Sequence, residues 1–126
     1  HFARRLELLP DRYATVERAL TDRDFETFGA AMEAEASELH MIAMTSTPAI
    51  YYWQPATLEI LEAVRHLRRD GVPAYATMDA GANVHVIAQA ADEPAVAERL
   101  GELPGVEGLI RDRVGDGPRI FDEHLF

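Results

Sequence analysis

Residues 74–89 of the chain read AYATMDAGANVHVIAQ, and this stretch decides the fold. Ala74 to Met78 is a short, mainly apolar run of the kind that forms a buried strand. Val84 to Gln89 alternates in the way expected of a second strand. The loop from Asp79 to Asn83, rich in small residues, joins the two. The stretch therefore predicts two neighbouring strands of a small sheet.

Amphipathic segments surround these strands. Apolar residues recur every three or four positions from Leu9 to Leu20, from Phe25 to Leu39 and from Leu58 to Leu67, which predicts three helices. A fourth helix is expected after Asp92, and a final strand from Val106 to Val114. This order predicts an α+β fold. We expect a helical hairpin and further helices packed on one face of a small, mostly antiparallel sheet.

Local signals define the expected boundaries and core. Thr21 or Asp22 is predicted to cap the second helix, Pro55 to lie in the first turn of the third, and Asp70-Gly71 to end it. The last residues of the chain resemble a tail. The periodicity predicts a core that contains Phe25, Phe28, Leu58, Leu61, Val64 and Val86.

Composition restricts the class of protein. The 126 residues suffice for one domain, residues 1–126, with its own core. The formal net charge is −10, which disfavours nucleic-acid binding. No apolar run approaches the length of a membrane span. Cysteine is absent, which excludes disulfides and thiolate chemistry. The composition predicts a soluble, intracellular protein.

Asp79 is the residue best placed for chemistry. It follows a buried strand, which gives a carboxylate the rigid support that a general base or a substrate-orienting group needs. The small residues after it would let a ligand approach the backbone. From spacing alone, an ordinary turn is the favoured interpretation: Asp79 would start it and Gly81 would supply a positive φ.

Other candidate groups have structural explanations. His40, near the end of the second helix, is expected to be a satisfied packing residue or a helix cap. The acidic residues of that helix are expected to form a solvated face. No nucleophile triad, phosphate-binding loop or paired metal ligands is present, so we predict no metal site within this chain.

Four stretches form a series that goes beyond these general signals: DRDF at 22–25, the pair Leu39-His40, TSTPAIYY at 45–52 and AYATMDAGAN at 74–83. A closing VGDGP at 114–118 completes it. Their order and spacing resemble the C-terminal domain of diphosphomevalonate decarboxylases, a family of the GHMP kinase group. The resemblance implies a GHMP kinase-type C-terminal domain over most of the chain.

The resemblance also implies an activity. Members of the family use ATP to phosphorylate the C3 hydroxyl of mevalonate 5-diphosphate, and loss of phosphate and CO2 gives isopentenyl diphosphate. Asp79 would be the catalytic residue, and the backbones of Ala80 and Gly81 would line the substrate. ATP and Mg²⁺ would be bound mainly by an N-terminal domain that these residues do not include, so this chain alone is expected to be inactive. A cytoplasmic homodimer is expected.

Three departures from the family pattern leave alternatives open. Ala82 replaces a Pro, Pro48-Ala49 replaces Pro-Pro, and MIAM at 41–44 replaces a more typical Ala-Thr-x-Leu run. The substrate could instead be the 5-monophosphate, as in a phosphomevalonate decarboxylase, or the protein could be a mevalonate 3-kinase-like relative. An alternative of another class is a non-catalytic ligand-sensing or dimerisation module.

Overall fold

Four helices and two strands make up the fold in the computed structural model, which describes residues 1–120. The elements, in chain order, are α1 Phe2–Asp22, α2 Phe25–Met44, α3 Pro55–Arg69, β1 Ala74–Thr77, β2 His85–Ala88 and α4 Glu93–Gly101. The predicted α+β class, with helices on a small antiparallel sheet, is confirmed. Among these helices, none combines the length and the apolar character of a transmembrane span.

β1 and β2 form an antiparallel hairpin, as the opening stretch predicts. Their register pairs Ala74 with Ala88 and Thr77 with His85. Each strand is one or two residues shorter than the sequence pattern suggests, which is the usual uncertainty at the ends of elements. The hairpin brings residues 79–83 to one end of the sheet.

The joint between α1 and α2 lies slightly later than predicted. α1 continues through Asp22, and Arg23 then adopts a left-handed conformation with φ 57° and ψ 34°. Asp24, rather than Thr21 or Asp22, caps α2, because its carboxylate accepts a hydrogen bond from the Thr27 backbone N–H at 3.0 Å. The predicted limits of α3 are confirmed: Pro55 is its first residue, and Gly71 follows it at φ +86°.

The core lies between α3, α4 and one face of the sheet. Its buried residues are Ala63, Val64, Leu67, Ala74, Ala76, Val96 and Leu100. Of the predicted core residues, Val64 is fully buried, whereas Phe25, Phe28, Leu61 and Val86 are half-buried. Leu58 was expected in the core but is 55% exposed, because it lines a cavity between α2 and α3 and is not part of the core cluster on the sheet.

α2 lies along the edge of β1 that β2 leaves unpaired. The Glu33 carboxylate accepts a hydrogen bond from the Ala76 backbone N–H at 2.9 Å and another from Arg68 at 2.8 Å. Arg68 also donates to the Ala74 carbonyl. These side chains satisfy backbone groups that a third strand would otherwise pair. Nearby, Gly29 lets the ring of Tyr75 pack directly on the α2 backbone, because a Cβ there would lie 2.1 Å from that ring.

The predicted final strand is wrong for the described residues. Residues 106–114 form neither helix nor strand, and Ile110 and Val114 are 98% and 100% exposed. An isolated strand has unpaired backbone groups, and within residues 1–120 no other strand lies beside this segment to pair with it. Arg111 instead forms an ion pair with Glu93. The expected tail includes residues 121–126, which lie outside the described range.

Candidate functional site

Asp79 lies at the point where β1 gives way to the loop. Thr77 is the last strand residue, and the Met78 side chain, 3% exposed, anchors the chain to the body of the protein. The Asp79 side chain is exposed, and no hydrogen bond to its carboxylate is present among residues 1–120. A carboxylate that is free on a rigid support can accept a hydrogen bond or a proton from a ligand.

A cavity of about 270 Å³ opens beside Asp79. Three separate segments line it: the end of α2, the turn after α2, and the start of the β1–β2 loop. Its lining residues are Leu39, His40, Ile42, Ala43, Ser46, Ile50, Tyr52, Asp79 and Ala80. Three of the stretches that carry the family resemblance therefore meet around one space, although up to about forty residues separate them in sequence.

The turn after α2 is held in place by its own hydrogen bonds. The Ser46 hydroxyl lies 2.8 Å from the Ala43 carbonyl and 2.6 Å from the Pro48 carbonyl. The Ile50 backbone N–H donates to the same Ala43 carbonyl at 3.0 Å. These bonds close the chain over the end of α2 and bring Ile50 and Tyr52 to the wall of the cavity.

His40 is buried deep in this wall. It is 1% exposed, and the Tyr52 and Trp53 rings lie on it with centroids 5.8 Å from its own. The sequence led us to expect a satisfied packing residue or a helix cap. The residue is packed, but neither ring nitrogen has a hydrogen-bond partner among the described residues. Neither the spacing nor the family pattern led us to expect that His40 would line the same cavity as Asp79.

The two loop residues predicted to line the substrate differ in position. Ala80 lines the cavity, whereas Gly81 does not. Among the described glycines, the one with a positive φ is Gly71, so the simple turn expected from Asp79 and Gly81 is not what forms. A Cβ at Gly81 would meet nothing within 4 Å. The chain's own packing and backbone therefore do not require a glycine at this position.

A second cavity, of about 510 Å³, lies between α2 and α3. Its charged groups are largely engaged with one another: Arg68 pairs with Glu33, and Arg65 lies 3.6 Å from Glu62. His40 contributes to the walls of both cavities. Asp79 belongs only to the first, so the first cavity is the candidate active site.

The first cavity does not suit a polyphosphate or a metal ion. Its walls are almost entirely apolar, and no Arg is among its lining residues. Phosphates require several positively charged or N–H donors, and Mg²⁺ requires oxygen ligands. Within residues 1–120 no group of three or more metal-binding side chains is found. The arrangement suits an apolar part of a ligand with a hydrogen-bond donor directed at Asp79.

Fold and site together define a class of protein: an α+β domain with a carboxylate at the end of a strand, beside an apolar cavity. The family model for the mevalonate 5-diphosphate decarboxylase C-terminal domain matches residues 2–108. The chain belongs to this family.

Named relatives agree with that assignment. The chain is 27% identical to diphosphomevalonate decarboxylase of Candida albicans over 142 aligned positions, covering 98% of this chain and 39% of the relative. It is 38% identical to phosphomevalonate decarboxylase of Haloferax volcanii over 69 positions, covering 54% of this chain and 21% of the relative. A solved structure described as MDDEF in complex with MVAPP, AMPPCP and magnesium has 32% identity and a TM-score of 0.74, covering 77% of this chain and 30% of that one. The chain thus spans well under half the length of these relatives.

Proposed function

We propose that this chain is the C-terminal domain of an ATP-dependent decarboxylase that converts mevalonate 5-diphosphate to isopentenyl diphosphate. The C3 hydroxyl is phosphorylated, and phosphate and CO2 are then lost. One observation carries the proposal: three stretches of the family pattern, far apart in sequence, surround a single apolar cavity with Asp79 at its rim. The membership of the chain in the family supports the same reaction.

Asp79 is proposed to act on the C3 hydroxyl. A tertiary alcohol is a poor nucleophile, and a carboxylate within hydrogen-bond reach can orient it or accept its proton as the O–P bond forms. When the phosphate later departs, positive charge grows at C3. The nearby anionic Asp79 would stabilise that charge. The absence of a hydrogen bond to Asp79 within the described chain leaves the carboxylate free for both roles.

The apolar walls are proposed to hold the carbon skeleton around C3. A volume of about 270 Å³ accommodates a branched carbon centre, and Ala80 places backbone at its edge. No neighbouring atom of the chain would exclude a side chain at Gly81. The absence of a side chain there would instead let the substrate approach the loop.

The phosphates, ATP and Mg²⁺ are proposed to be bound mainly by a separate N-terminal domain. The related structure with MVAPP, AMPPCP and magnesium is more than three times as long as the part that this chain covers. We therefore expect this chain alone to be inactive, and a cytoplasmic, homodimeric enzyme to require both domains.

A second candidate substrate is mevalonate 5-monophosphate. The highest identity to a named relative given above, 38%, is to a phosphomevalonate decarboxylase, although over only 69 positions. The two substrates differ at the phosphate end, which the apolar cavity does not contact in our proposal. Comparing CO2 release from the two substrates by the full-length enzyme decides between them.

Replacing Asp79 tests the catalytic assignment. In the full-length enzyme, Asp79→Asn should lower kcat about 100-fold to 10,000-fold, because Asn has nearly the same size but cannot accept the proton. The melting temperature should not change, and KM should change much less than kcat. ATP-dependent CO2 release measures the effect. Asp70→Asn, an exposed Asp at the end of α3, is the matched control and should retain full activity.

Retention of more than about a tenth of wild-type turnover by a well-folded Asp79→Asn enzyme would rule out the catalytic role, since such a loss falls short of the general-base range. If Asp79 only started a turn, Asn would replace it with little effect.

A further inference from the structure

His40 is a buried polar side chain that makes no hydrogen bond within the described chain. It is 1% exposed, and neither ring nitrogen has a partner among residues 1–120. Buried polar groups in folded proteins nearly always have a partner, because the bonds to water that they lose on burial must be replaced. An apolar side chain of similar size would fill the position without that cost. Packing alone therefore does not account for an imidazole at this position.

The imidazole lies between the two cavities. His40 shares the wall of the candidate active site with Asp79 and the wall of the second cavity with Trp53. Of the residues that line these two cavities, His40 alone belongs to both. The Tyr52 and Trp53 rings pack against it at 80° and 54° and restrict its rotation. Because the two ring nitrogens point away from each other, a ring fixed here can serve one cavity with each nitrogen.

Trp53 determines which nitrogen serves which cavity. Its indole N–H is buried and also lacks a partner among the described residues. An indole N–H can only donate, whereas an imidazole with one ring proton has one donating and one accepting nitrogen. On the side of the second cavity, Trp53 therefore complements the accepting nitrogen of His40, with a water between them. The ring proton is then carried by the other nitrogen, on the side of the candidate active site.

Asp79 offers the acceptor for this proton. Its exposed carboxylate has two acceptor oxygens and receives no hydrogen bond from the described residues. The Ser46 hydroxyl lines the same cavity but is already bonded to two carbonyls. No direct hydrogen bond joins His40 to Asp79. The cavity of about 270 Å³ has room for a bridging water, which occupies roughly 30 Å³ in the liquid.

We propose, resting on the proposed function, that His40 is a positioning residue for Asp79. Its ring N–H donates to a water, and the water donates to one carboxylate oxygen of Asp79. The other oxygen is thereby turned toward the C3 hydroxyl. An exposed Asp side chain otherwise samples several rotamers. A bond to one oxygen selects an orientation, and a water-mediated bond does so nearly as well as a direct one. His40 itself neither gains nor loses a proton.

Two substitutions of similar size separate this role from packing. His40→Leu removes the donor, whereas His40→Gln keeps an amide N–H. In the full-length enzyme, His40→Leu should lower kcat about 10-fold to 100-fold, because a slightly misplaced reacting group costs up to that much. KM should change little, and His40→Gln should retain most of the turnover. His66→Leu, in α3 and outside both cavities, is the matched control and should keep full activity. ATP-dependent CO2 release measures all three.

The stability of the two variants is expected in the opposite order. Leu buries no polar group, so the melting temperature of His40→Leu should equal or exceed that of His40→Gln. An Asp79→Ala background provides a further comparison. There the Leu and Gln variants at position 40 should be equally slow, because the bond by which they differ acts through the Asp79 carboxylate.

Equal turnover of His40→Leu and His40→Gln in an active enzyme would overturn this proposal alone. A difference between them that persists in the Asp79→Ala background would do the same. A wild-type enzyme that releases no CO2 would instead contradict the proposed function, and the role of His40 with it. If the His40 variants do not fold, ¹⁵N NMR of histidine-labelled wild-type and Asp79→Ala enzymes replaces them. The His40 ring nitrogen signals should shift when Asp79 is removed, and unchanged signals would overturn the proposal.

Discussion

α3 and α2 both hold the sheet in place, but they use different kinds of contact. α3 packs Ala63, Val64 and Leu67 on the sheet face that carries Ala74 and Ala76. α2 buries no large aliphatic side chain, and its buried residues are Gly29, Ala36 and His40. The contact on the face of the sheet is apolar packing. The contact along its edge depends on the Glu33 carboxylate of α2, the Arg68 guanidinium that α3 contributes and the Tyr75 ring of β1.

Tyr75 is the centre of the second kind of contact. Its ring meets Phe25 edge-on at 5.5 Å, and the Arg68 guanidinium lies 4.8 Å above it. Burial raises the pKa of the Tyr75 hydroxyl. One small sheet is thus stabilised by non-directional apolar burial on its face and by directional hydrogen bonds along its edge. The two kinds of contact should respond to different substitutions.

The largest expected effect is on the apolar side of the comparison. Leu67→Ala should lower the free energy of unfolding by about 3 kcal/mol, because it removes buried carbon atoms and leaves a cavity. Leu58→Ala, in the same helix but 55% exposed, should lower it by about 0.5 kcal/mol or less. Urea denaturation of the two variants measures the difference. Equal losses would mean that α3 does not stabilise the sheet by packing.

A smaller effect is expected on the polar side. Glu33→Ala should lower the free energy of unfolding by about 2 kcal/mol, since it leaves the Ala76 N–H and the half-buried Arg68 without their carboxylate partner. Glu33→Gln should recover part of the loss because its carbonyl still accepts a hydrogen bond. Glu26→Ala, at an exposed position of α2, is the control. If Glu33→Ala behaved like the control, the edge contact would contribute nothing to stability.

The same division explains what the sequence could predict. The contacts of α3 follow from residues three and four apart, so the helix, its limits and the burial of Val64 could be anticipated. Leu58 is exposed instead, and the buried Thr57 and Ala63 were not predicted. The contact of Glu33 with Ala76 joins residues 43 positions apart and has no local signal. Asp79 was predicted from its strand-end position and the family pattern. That His40 lines the same cavity as Asp79 depends on the path of the turn after α2, which periodicity does not encode.

The smallest expected effect concerns the ion pairs that join α1 to α2. A hydrogen bond from Arg12 lowers the pKa of the Glu38 carboxyl, and the two side chains lie 2.9 Å apart. A carboxyl whose pKa is lower in the folded state stabilises the fold above its unfolded pKa, about 4.3, and loses that contribution as the pH falls through the folded value. Arg12 stays charged throughout. Stability should therefore decrease below about pH 5.

Glu38→Gln isolates this contribution. The variant should be less stable than wild type at pH 7 by about 0.5 kcal/mol, a small value because the pair is partly exposed and screened by salt. The two melting curves should converge as the pH falls from about 5 to 3, since wild-type Glu38 is then protonated as well. Glu93→Gln provides a comparison, because Arg111 lowers the pKa of Glu93 outside the α1–α2 contact. A constant difference between Glu38→Gln and wild type across this range would show that Glu38 acts through packing rather than through its charge, and Glu35 would then be the remaining carboxylate that pairs with Arg12.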